Sequence, residues 1–365
     1  MRSARLKELG EIITGNTPKT SEIQNYESDD ICFVKPSDID DKSISKLKNS
    51  EYYISEYARK SARIAPKHSI LVTCIGTIGK IAILENECAF NQQINAIIPD
   101  EKQVYPLYLA YNMFFQKKYL QQKANAPVVP IINKTDFGDF KIKLHNLIEQ
   151  QKIIDVLDKI ENLIDNRQQQ LNLLNELIES RFIEMFGDPI LNNFNFLTQK
   201  LGKTCILKAG ITTSPKDIYN DLTEEHNVPC FGGNGIRGYV KRASFSGEYP
   251  IIGRQGALCG NLQFARGTFH ATEHAVLVTP VIEYNKKWLY FMLKYMKLNR
   301  FSTGAAQPGL SVTNLNHINI IVPPIELQNK FAAFVEQTEK TKSTIKKSFD
   351  ELNLLKDSLM QKYFG

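Results

Sequence analysis

The sequence predicts an α+β protein in which two α/β blocks alternate with two long helices that pack on each other. Two observations predict this class. The segment Gln150–Gly187 recurs as Gln328–Gly365 at a constant shift of 178 residues, which indicates an internal duplication. The stretches before the two copies, residues 1–145 and 188–323, contain strand-like apolar runs separated by turn residues.

The duplication keeps identical residues along its whole length without gaps. The matched pairs are Gln150/Gln328, Lys152/Lys330, Leu174/Leu352, Asn175/Asn353, Leu177/Leu355, Ser180/Ser358, Phe186/Phe364 and Gly187/Gly365. The same shift brings Pro130 onto Pro308 and Ile142 onto Ile320. We therefore expect both copies to fold alike.

Each copy has the apolar spacing of a long helix. Apolar residues recur at steps of mostly three and four from Ile153 to Met185, interrupted by Arg167, and again from Phe331 to Tyr363. Neither copy has an internal Pro or Gly. This a/d stripe is typical of a coiled coil, and a helix of this length spans roughly 55 Å.

A helix this long with one apolar stripe needs a partner that covers the stripe. The simplest partner is the other copy in the same chain. The alternative is that each copy pairs with a second molecule.

Length and composition set broad limits. A chain of 365 residues fits two or more domains, and no run of about 18 apolar residues predicts a membrane span. The first five residues do not resemble a signal peptide. The six cysteines show no C-x-x-C spacing, so we expect reduced thiols and a cytoplasmic location.

The net charge of +6 is unevenly distributed. Residues 1–145 carry +3 and residues 188–323 carry +6, whereas residues 146–187 carry −4 and residues 324–365 carry +1. An excess of positive charge on the two non-helical blocks is typical of contact with a phosphate backbone. Basic globular domains without nucleic acid are also common.

Block one predicts the following elements in order. A turn at Gly15–Pro18 precedes strands at Ile31–Val34 and Ser69–Cys74. Gly76 and Gly79 predict a hairpin into Lys80–Leu84. A further strand is predicted through Phe90–Pro99 and a helix through Pro106–Leu120.

Block two predicts the same plan with insertions. Leu201-Gly202 matches Leu9-Gly10, and the run Pro250–Gly253 matches the Ser69–Cys74 strand. Gly256 and Gly260 match the two hairpin glycines, and Lys287–Leu298 matches the block-one helix. Because the shift is not constant here, we expect a shared scaffold with different loops and side chains.

The run from His270 to His274 matches the H-x-x-E-H metalloprotease pattern. Zinc binding by this pattern needs a helix, but the β-branched and aromatic residues on both sides predict a strand. On a strand the two histidines lie roughly 13 Å apart, too far to share one ion. We expect these residues to contact DNA or to make structural hydrogen bonds.

Other matches to enzyme motifs lack the neighbouring sequence that each motif needs for its function. Gly233–Gly238 matches the dinucleotide pattern G-x-G-x-x-G, but no helical pattern follows it, so a glycine-rich turn with Arg237 projecting is preferred over a plain exposed turn. Gly76–Lys80 is too short for an ATP-binding P-loop. No Asn-Pro-Pro-Tyr-like methyltransferase tetrad occurs, since the only Pro-Pro is Pro323-Pro324.

The candidate DNA contacts are side chains able to make bidentate bonds to base edges, with their polar neighbours. In block two they are Asn234, Arg237, Arg254, Gln255, His270, Glu273 and His274. In block one they are Thr73, Thr77, Lys80, Asn91, Gln92 and Gln93. Some members of both sets will contact phosphates only, and others will stabilise loops.

Several segments together resemble the specificity subunit of a type I DNA restriction–modification system, and the likeness covers the whole chain. In block two these segments are Phe231–Tyr239, Ile252–Ala257, Ala271–Ala275, Thr303–Leu310 and Pro323–Glu326; in block one they are Gly76–Gly79 and Leu147–Gln150. One departure is Ala126–Pro130, where the family usually has a Gly-rich Gln-Pro segment.

The resemblance implies two target recognition domains, residues 1–145 and 188–323, that recognise the two halves of a split DNA sequence. It implies that long helix 1 (146–187, the central conserved region) and long helix 2 (324–365, the distal conserved region) form an antiparallel coiled coil that sets the half-site spacing. The implied partners are double-stranded DNA and two methyltransferase (M) subunits, and a restriction/translocase (R) subunit can join.

The resemblance also implies a chain with no catalytic residues, no cofactor and no metal. Two other function classes remain open at this point. One is a stand-alone enzyme, either a zinc hydrolase or a methyltransferase, and the other is a coiled-coil scaffold that binds only protein.

Overall fold

The computed structural model describes residues 2–124, 130–256, 258–304 and 309–365. Up to the end of the first long helix, the strands are β1 (Arg2–Arg5), β2 (Gly10–Thr14), β3 (Ile31–Val34), β4 (Ser45–Leu47), β5 (Tyr52–Ile54), β6 (Ile64–Ala65), β7 (Ile70–Thr73), β8 (Ile81–Leu84), β9 (Cys88–Phe90), β10 (Ile94–Pro99) and β11 (Lys141–Leu144). The helices are α1 (Leu6–Leu9), α2 (Pro106–Phe115), α3 (Lys117–Gln122), α4 (Lys134–Gly138) and α5 (Leu147–Phe186). Short 3₁₀ helices span Ile23–Tyr26, Pro36–Asp38 and Glu56–Lys60.

The rest of the chain follows the same alternation. Its strands are β12 (Thr198–Lys200), β13 (Cys205–Ala209), β14 (Val228–Gly232), β15 (Gly235–Val240), β16 (Phe245–Ser246), β17 (Tyr249–Gly253), β18 (Leu262–Ala265), β19 (Thr268–Ala271), β20 (Ala275–Pro280) and β21 (Asn319–Ile321). Its helices are α6 (Leu201–Thr204), α7 (Lys286–Tyr295), α8 (Val312–Asn316) and α9 (Ile325–Phe364), with 3₁₀ helices at Pro215–Asp217 and Leu298–Phe301. No helix in the described ranges is long and apolar enough to cross a membrane.

The chain forms two compact units. Unit 1 comprises Met1–Gln168 and Lys347–Gly365, and unit 2 comprises Gln169–Lys346. Each unit therefore contains one α/β block and a part of both long helices.

The described strands of unit 1 form three sheets. The largest has the strand order β2-β10-β7-β8-β4, the second has the order β5-β3-β9-β6, and β1 pairs with β11. Within these sheets β7 and β8 form an antiparallel hairpin, whereas β3 and β9 run parallel. Helix α2 packs on the largest sheet, where Tyr108 and Leu109 are fully buried.

Unit 2 repeats this topology with one edge strand fewer. Its sheets have the orders β13-β20-β17-β18 and β15-β14-β19-β16, and β12 pairs with β21. Strands β14 and β19 run parallel, as β3 and β9 do in unit 1. Only the edge strand β4 has no counterpart among the described strands of unit 2. The two α/β blocks thus share one fold, as the sequence predicts.

In unit 1 the beginning of α5 packs beside the end of α9. Leu157 and Phe364 belong to the same buried cluster, and Phe364 contacts Tyr108 at a ring-centroid distance of 5.5 Å. Lys356 forms an ion pair with Glu161 at 2.6 Å. Burial of each such large apolar side chain contributes roughly 1.5–3 kcal/mol, so the helices form part of this domain core.

In unit 2 the end of α5 packs beside the beginning of α9. Phe182 contacts Phe331 at 5.4 Å, and Phe186 contacts Trp288 at 5.8 Å. Because the beginning of one helix meets the end of the other in both units, α5 and α9 are antiparallel. The helices pair within the chain, so the alternative of pairing with a second molecule is not needed to cover the stripe.

A buried glutamine links each long helix to its own block. Gln150 accepts a hydrogen bond from Tyr105 N at 2.9 Å and donates to the carbonyl oxygens of Gln103 and His145. Gln328 accepts from Asn285 N at 3.0 Å and donates to Pro323 O at 2.9 Å. Both glutamines are at most 1% exposed. This shared role gives a physical reason why both copies of the duplicated segment have glutamine here.

Several predicted elements are confirmed. Strand Ile31–Val34 and the β7–β8 hairpin are present, and β17 with β18 is its counterpart in unit 2. The paired glycines have matching backbone conformations, with φ of +76° at Gly76 and +83° at Gly256, and +84° at Gly79 and +85° at Gly260.

Other element boundaries were predicted wrongly. The run Phe90–Pro99 is not one strand, because the side chain of Asn91 accepts from Gln93 N at 3.1 Å and closes a turn between β9 and β10. The predicted block-one helix divides at Gln116 into α2 and α3. The predicted block-two helix ends at Tyr295, and Lys297 adopts a left-handed φ of +51° before a 3₁₀ turn.

One predicted equivalence between the blocks was also wrong. Leu201 does not match Leu9, because its backbone nitrogen donates to Ile318 O exactly where Leu6 N donates to Phe140 O. Leu201 therefore begins α6 as Leu6 begins α1.

Candidate nucleic-acid interface

The end of β7 and two neighbouring turns of unit 1 contain all six candidate residues of block one. One turn joins β7 to β8 and the other joins β9 to β10, and they are linked by a hydrogen bond of 2.7 Å from Cys74 N to Gln93 O. Thr77 and Gln92 are exposed, whereas Lys80 and Gln93 are half-buried. Thr77 and Gln92 are therefore the candidates most available to a ligand.

The other candidates of block one stabilise these turns. Thr73 is fully buried, and its hydroxyl accepts from Lys80 N at 3.0 Å and donates to Thr77 O. Lys80 donates from Nζ to Pro36 O at 2.9 Å. Asn91 is 7% exposed and donates to Gln93 Oε1 at 3.0 Å. These bonds fix the backbone that presents Thr77 and Gln92.

A third loop, which the sequence did not associate with this surface, lies against the second turn. Thr17 donates to Gln92 Oε1 at 2.7 Å, and Asn16 N donates to Phe90 O at 3.0 Å. The side chain of Asn16 also bonds to a fourth segment, the one just before β6. Its Nδ2 donates to Ser61 O at 2.7 Å, and its Oδ1 accepts from Arg63 N at 2.6 Å. Gly15–Pro18 is recognisable as a turn in the sequence, but nothing local indicates partners 45 to 75 positions away.

In unit 2 four of the seven candidate residues line one cleft with a volume of about 550 Å³. They are Asn234 and Arg237 of the β14–β15 hairpin, Gln255 after β17, and His274 before β20. Asn234, Arg237 and Gln255 are exposed, and Asn234 accepts a hydrogen bond from Asn261 at 2.6 Å. The cleft therefore presents an arginine and two side-chain amides, the donors and acceptors that suit base edges.

Close backbone contact forms the floor of this cleft. A Cβ atom at Gly253 would lie 1.8 Å from Gly233 O, so only glycine fits where β17 meets the β14–β15 turn. Gly235 has φ of +102°, which favours glycine in this turn. The glycines of the G-x-G-x-x-G match thus belong to a β-hairpin, and strand β15 begins at the second of them, where a dinucleotide site requires a helix.

Arg254 is fixed through its backbone beside the cleft. Its nitrogen donates to His274 O at 3.0 Å, and its carbonyl accepts from Leu310 N at 2.8 Å. The residue is half-buried, and its Nε has no hydrogen-bond partner among the residues that the structure describes. The side chain of Arg254 is therefore not among those that line the cleft, although its backbone bonds to His274 and it lies next to Gln255 in the chain.

The H-x-x-E-H residues form a hydrogen-bonded chain. His270 is 8% exposed and bonds to Thr213 Oγ1 at 2.7 Å and to Ser244 Oγ through its two ring nitrogens. Burial lowers the pKa of His270 below its usual value. Thr213 N donates to Glu273 Oε2 at 3.2 Å, and Glu273 lies 3.3 Å from His274 Nε2. Hydroxyl groups therefore occupy both ring nitrogens of His270, one of the two histidines that the zinc pattern requires.

The predicted strand through His270–His274 was wrong in one respect. His270 belongs to β19, but Glu273 and His274 form a turn before β20. Within the described parts of the chain, no three His, Cys, Asp or Glu side chains are grouped so that they could bind a metal ion. The zinc alternative therefore has no ligand set in these ranges.

Some residues used for the sequence resemblance lie outside the described residues. They are positions 126–129 of the departing segment, Ala257, and positions 305–308.

Comparison with known proteins decides the family. The family model for the type I restriction modification DNA specificity domain matches residues 1–176 and 197–354. The chain belongs to the family of type I restriction–modification specificity subunits. The two matches to the model fall on the two repeats of this specificity subunit, in agreement with the duplicated fold.

Full-length relatives support the same assignment. This specificity subunit is 30% identical over 367 residues to the type I restriction enzyme EcoprrI specificity subunit of Escherichia coli, covering 97% of this chain and 90% of the relative. It is 24% identical over 402 residues to the MjaIX specificity subunit of Methanocaldococcus jannaschii, covering 98% and 91% of the two chains.

A solved structure shows the same fold. The S subunit of a type I restriction–modification system from M. genitalium aligns with a TM-score of 0.66 at 15% identity, over 100% of this chain and 96% of that one. The α+β architecture of duplicated blocks and long helices is therefore an established fold.

Proposed function

We propose that this specificity subunit recognises a bipartite DNA target through two target recognition domains, residues 1–145 and 188–323. Helices 146–187 and 324–365 would join these domains, and the chain would contribute recognition without chemistry to its complex. The repeated turn framework carries this proposal: each unit builds the same backbone frame and presents different polar side chains on it. Two similar frames with unlike side chains suit two unlike half-sites.

The exposed candidates have the chemistry of base recognition. Gln92, Asn234 and Gln255 carry amides that match adenine, and Arg237 carries the fork of donors that matches guanine. Thr77 and His274 lie beside them and can donate or accept a single bond. The buried Thr73 and Asn91 would act on DNA binding only through the turns they stabilise. Lys80, Gln93, Arg254, His270 and Glu273 remain candidates for phosphate contact or turn support.

Methyltransferase subunits would bind the outer faces of the long helices. Internal packing leaves large apolar side chains of both helices exposed: Leu163 and Leu354 in unit 1, and Leu173 and Leu177 in unit 2. Exposed apolar residues on a helix whose opposite face is buried are typical of a protein-binding surface. Because the helix segment is duplicated, we propose two M subunits per chain, and an R subunit would join through them.

The absence of chemistry in this chain is also part of the proposal. The sequence has no Asn-Pro-Pro-Tyr-like tetrad, so base methylation would come from the M subunits. A methylation assay on the purified chain, alone and with M subunits added, tests this division. Activity of the chain alone would contradict it.

The decisive experiment is methylome sequencing of cells that express the M subunits with and without this chain. We expect a split recognition sequence to become methylated only when the chain is present. Duplexes that carry one half-site scrambled at a time should then lose methylation. Methylation of an unsplit sequence, or binding without any dependence on sequence, would contradict a bipartite specificity role.

A further inference from the structure

The segment before β6 lies against the candidate DNA surface of unit 1. Strand β6 pairs antiparallel with β9, with Ile64 opposite Ala89. The strand ends there, and Asn16 bonds to both Arg63 and β9: its Oδ1 accepts from Arg63 N at 2.6 Å, and its backbone nitrogen donates to the carbonyl oxygen of Phe90 at 3.0 Å. Phe90 is two residues before Gln92 in the chain. Arg63 therefore emerges at the same edge as Gln92.

Asn16 and Thr17 fix the two positions relative to each other. Asn16 Oδ1 accepts from Arg63 N at 2.6 Å, and Thr17 Oγ1 donates to Gln92 Oε1 at 2.7 Å. Consecutive Cα atoms are about 3.8 Å apart, so one dipeptide bonds to both segments at once. Because its backbone is fixed in this way, the side chain of Arg63 has fewer possible directions than it would have on a flexible loop.

Arg63 is unusual among the arginines of unit 1. Arg2, Arg5, Arg59 and Arg167 all bond to side chains of the same unit, namely Gln103, Asp139, Glu56 with Glu87, and Ser348. Arg63 is exposed, and within the parts of unit 1 that the structure describes its guanidinium has no carboxylate or hydrogen-bond partner. Its donors are available to a ligand without breaking an internal ion pair.

We propose that Arg63 is a base-contacting residue of the first recognition domain and recognises a guanine next to the base contacted by Gln92. The role of Arg63 rests on the proposed function. A guanidinium can donate two bonds to O6 and N7 of guanine, and neighbouring bases are stacked about 3.4 Å apart along a strand. In unit 2 Ser244 bonds to His270, which pairs with β14 as Ala89 pairs with β3, so the position that corresponds to Arg63 is Ala243 and this contact is specific to the first domain.

The test uses the full chain assembled with its M subunits. The methylation pattern produced with the native chain first defines the target, and duplexes with single base changes in each half-site then serve as probes. We expect Arg63→Ala to weaken binding of the cognate duplex by roughly 10- to 100-fold and to remove discrimination at one G·C position of one half-site. Arg63→Lys keeps the charge but not the bidentate fork, so discrimination should still be lost.

Arg59→Ala is the matched control, because Arg59 lies four residues away and is engaged by Glu56 and Glu87. It should leave both affinity and base preference unchanged. Thermal unfolding of Arg63→Ala should match the native chain, since no internal bond is removed.

The outcomes separate the two proposals. If the native chain directs no sequence-specific methylation, the proposed function fails and the role of Arg63 fails with it. If the native chain is specific but Arg63→Ala keeps its base preference, or loses affinity equally on cognate and random duplexes, only the base contact of Arg63 is overturned.

Discussion

The turn regions of the two units have the same backbone and different side chains. Cys74 N donates to Gln93 O in unit 1, and Arg254 N donates to His274 O in unit 2. Likewise Ile132 N donates to Cys74 O at 2.9 Å, and Leu310 N donates to Arg254 O at 2.8 Å. A buried thiol in one frame thus corresponds to an arginine in the other. Backbone hydrogen bonds preserve the frame, so side chains can change without loss of the fold.

The comparison extends to the strands that lead into the turns. Thr73 of β7 corresponds to Gly253 of β17. The backbone carbonyl of each accepts a hydrogen bond from the backbone nitrogen of the second glycine of its turn, and the backbone nitrogen of each donates to the carbonyl of the residue after that glycine. Thr73 stabilises its turn with a side chain, whereas Gly253 allows direct contact of two backbone segments. Equivalent positions therefore stabilise the same turn in different physical ways.

The largest effect is expected from a side chain at Gly253. Gly253→Ala should lower the free energy of unfolding by about 3 kcal/mol or more, because its Cβ would overlap the Gly233 carbonyl and neither backbone segment can move freely. Gly256→Ala is the control: a Cβ there meets nothing within 4 Å, and only the φ of +83° costs about 1 kcal/mol. Thermal and urea unfolding measure both. Equal losses in the two variants would show that the close contact is not rigid.

Loss of either buried glutamine should destabilise its own unit by similar amounts. Gln150→Ala and Gln328→Ala each leave buried backbone groups unpaired, at a cost of about 2–4 kcal/mol. Gln151→Ala is a control, since Gln151 is exposed and, among the described residues, its side chain bonds only to Asp155. Hydrogen exchange resolved by segment would report which unit opens. If one variant were neutral, the two helix attachments would not be equivalent.

Arg237 should affect one half-site only. Arg237→Ala is expected to weaken binding by about 1–3 kcal/mol on duplexes with the half-site of the second domain, because an exposed bidentate donor is lost from the cleft. Duplexes in which that half-site is already scrambled should show no further loss. Titration at two salt concentrations checks the alternative: a uniform loss on random DNA would make Arg237 a phosphate contact.

The smallest effect is expected from His270 and pH. Its pKa is lowered in the folded chain, so the unfolded chain binds a proton first as the pH falls. The contribution of His270 to the free energy of unfolding is therefore fully present above the ordinary histidine pKa of about 6.5, and it decreases as the pH falls below that value. The counterpart in unit 1 is Ala89, which does not titrate, so His270→Ala should flatten the difference in unfolding free energy between pH 7.5 and pH 5.5. An unchanged pH profile would contradict the burial of a neutral imidazole.

Sequence reasoning worked best where a period or a repeat was present. The duplicated helices follow from identical residues at one shift, and the β7–β8 hairpin follows from Gly76 and Gly79 between two apolar runs. It worked less well where a single residue ends a helix or a strand. The turn closed by Asn91 and the left-handed Lys297 depend on single local bonds that periodicity does not reveal.

The candidate surface was only partly predictable for the same reason. Arg237 and Gln255 could be selected by chemistry, and the structure brings them to one cleft. Arg254 was selected on the same grounds, yet its side chain is not among those that line that cleft. Asn16 and Arg63 could not be selected at all, because their proximity to Gln92 arises from strand pairing across distant parts of the chain.

The sequence by itself determined the duplication, the two long amphipathic helices and the two related blocks, because periodic apolar residues and repeated glycines act locally. The tertiary structure alone decided which polar side chains share a surface and which are buried in support of a turn. Such grouping depends on hydrogen bonds and strand registers between residues far apart in the chain, and no local pattern encodes them.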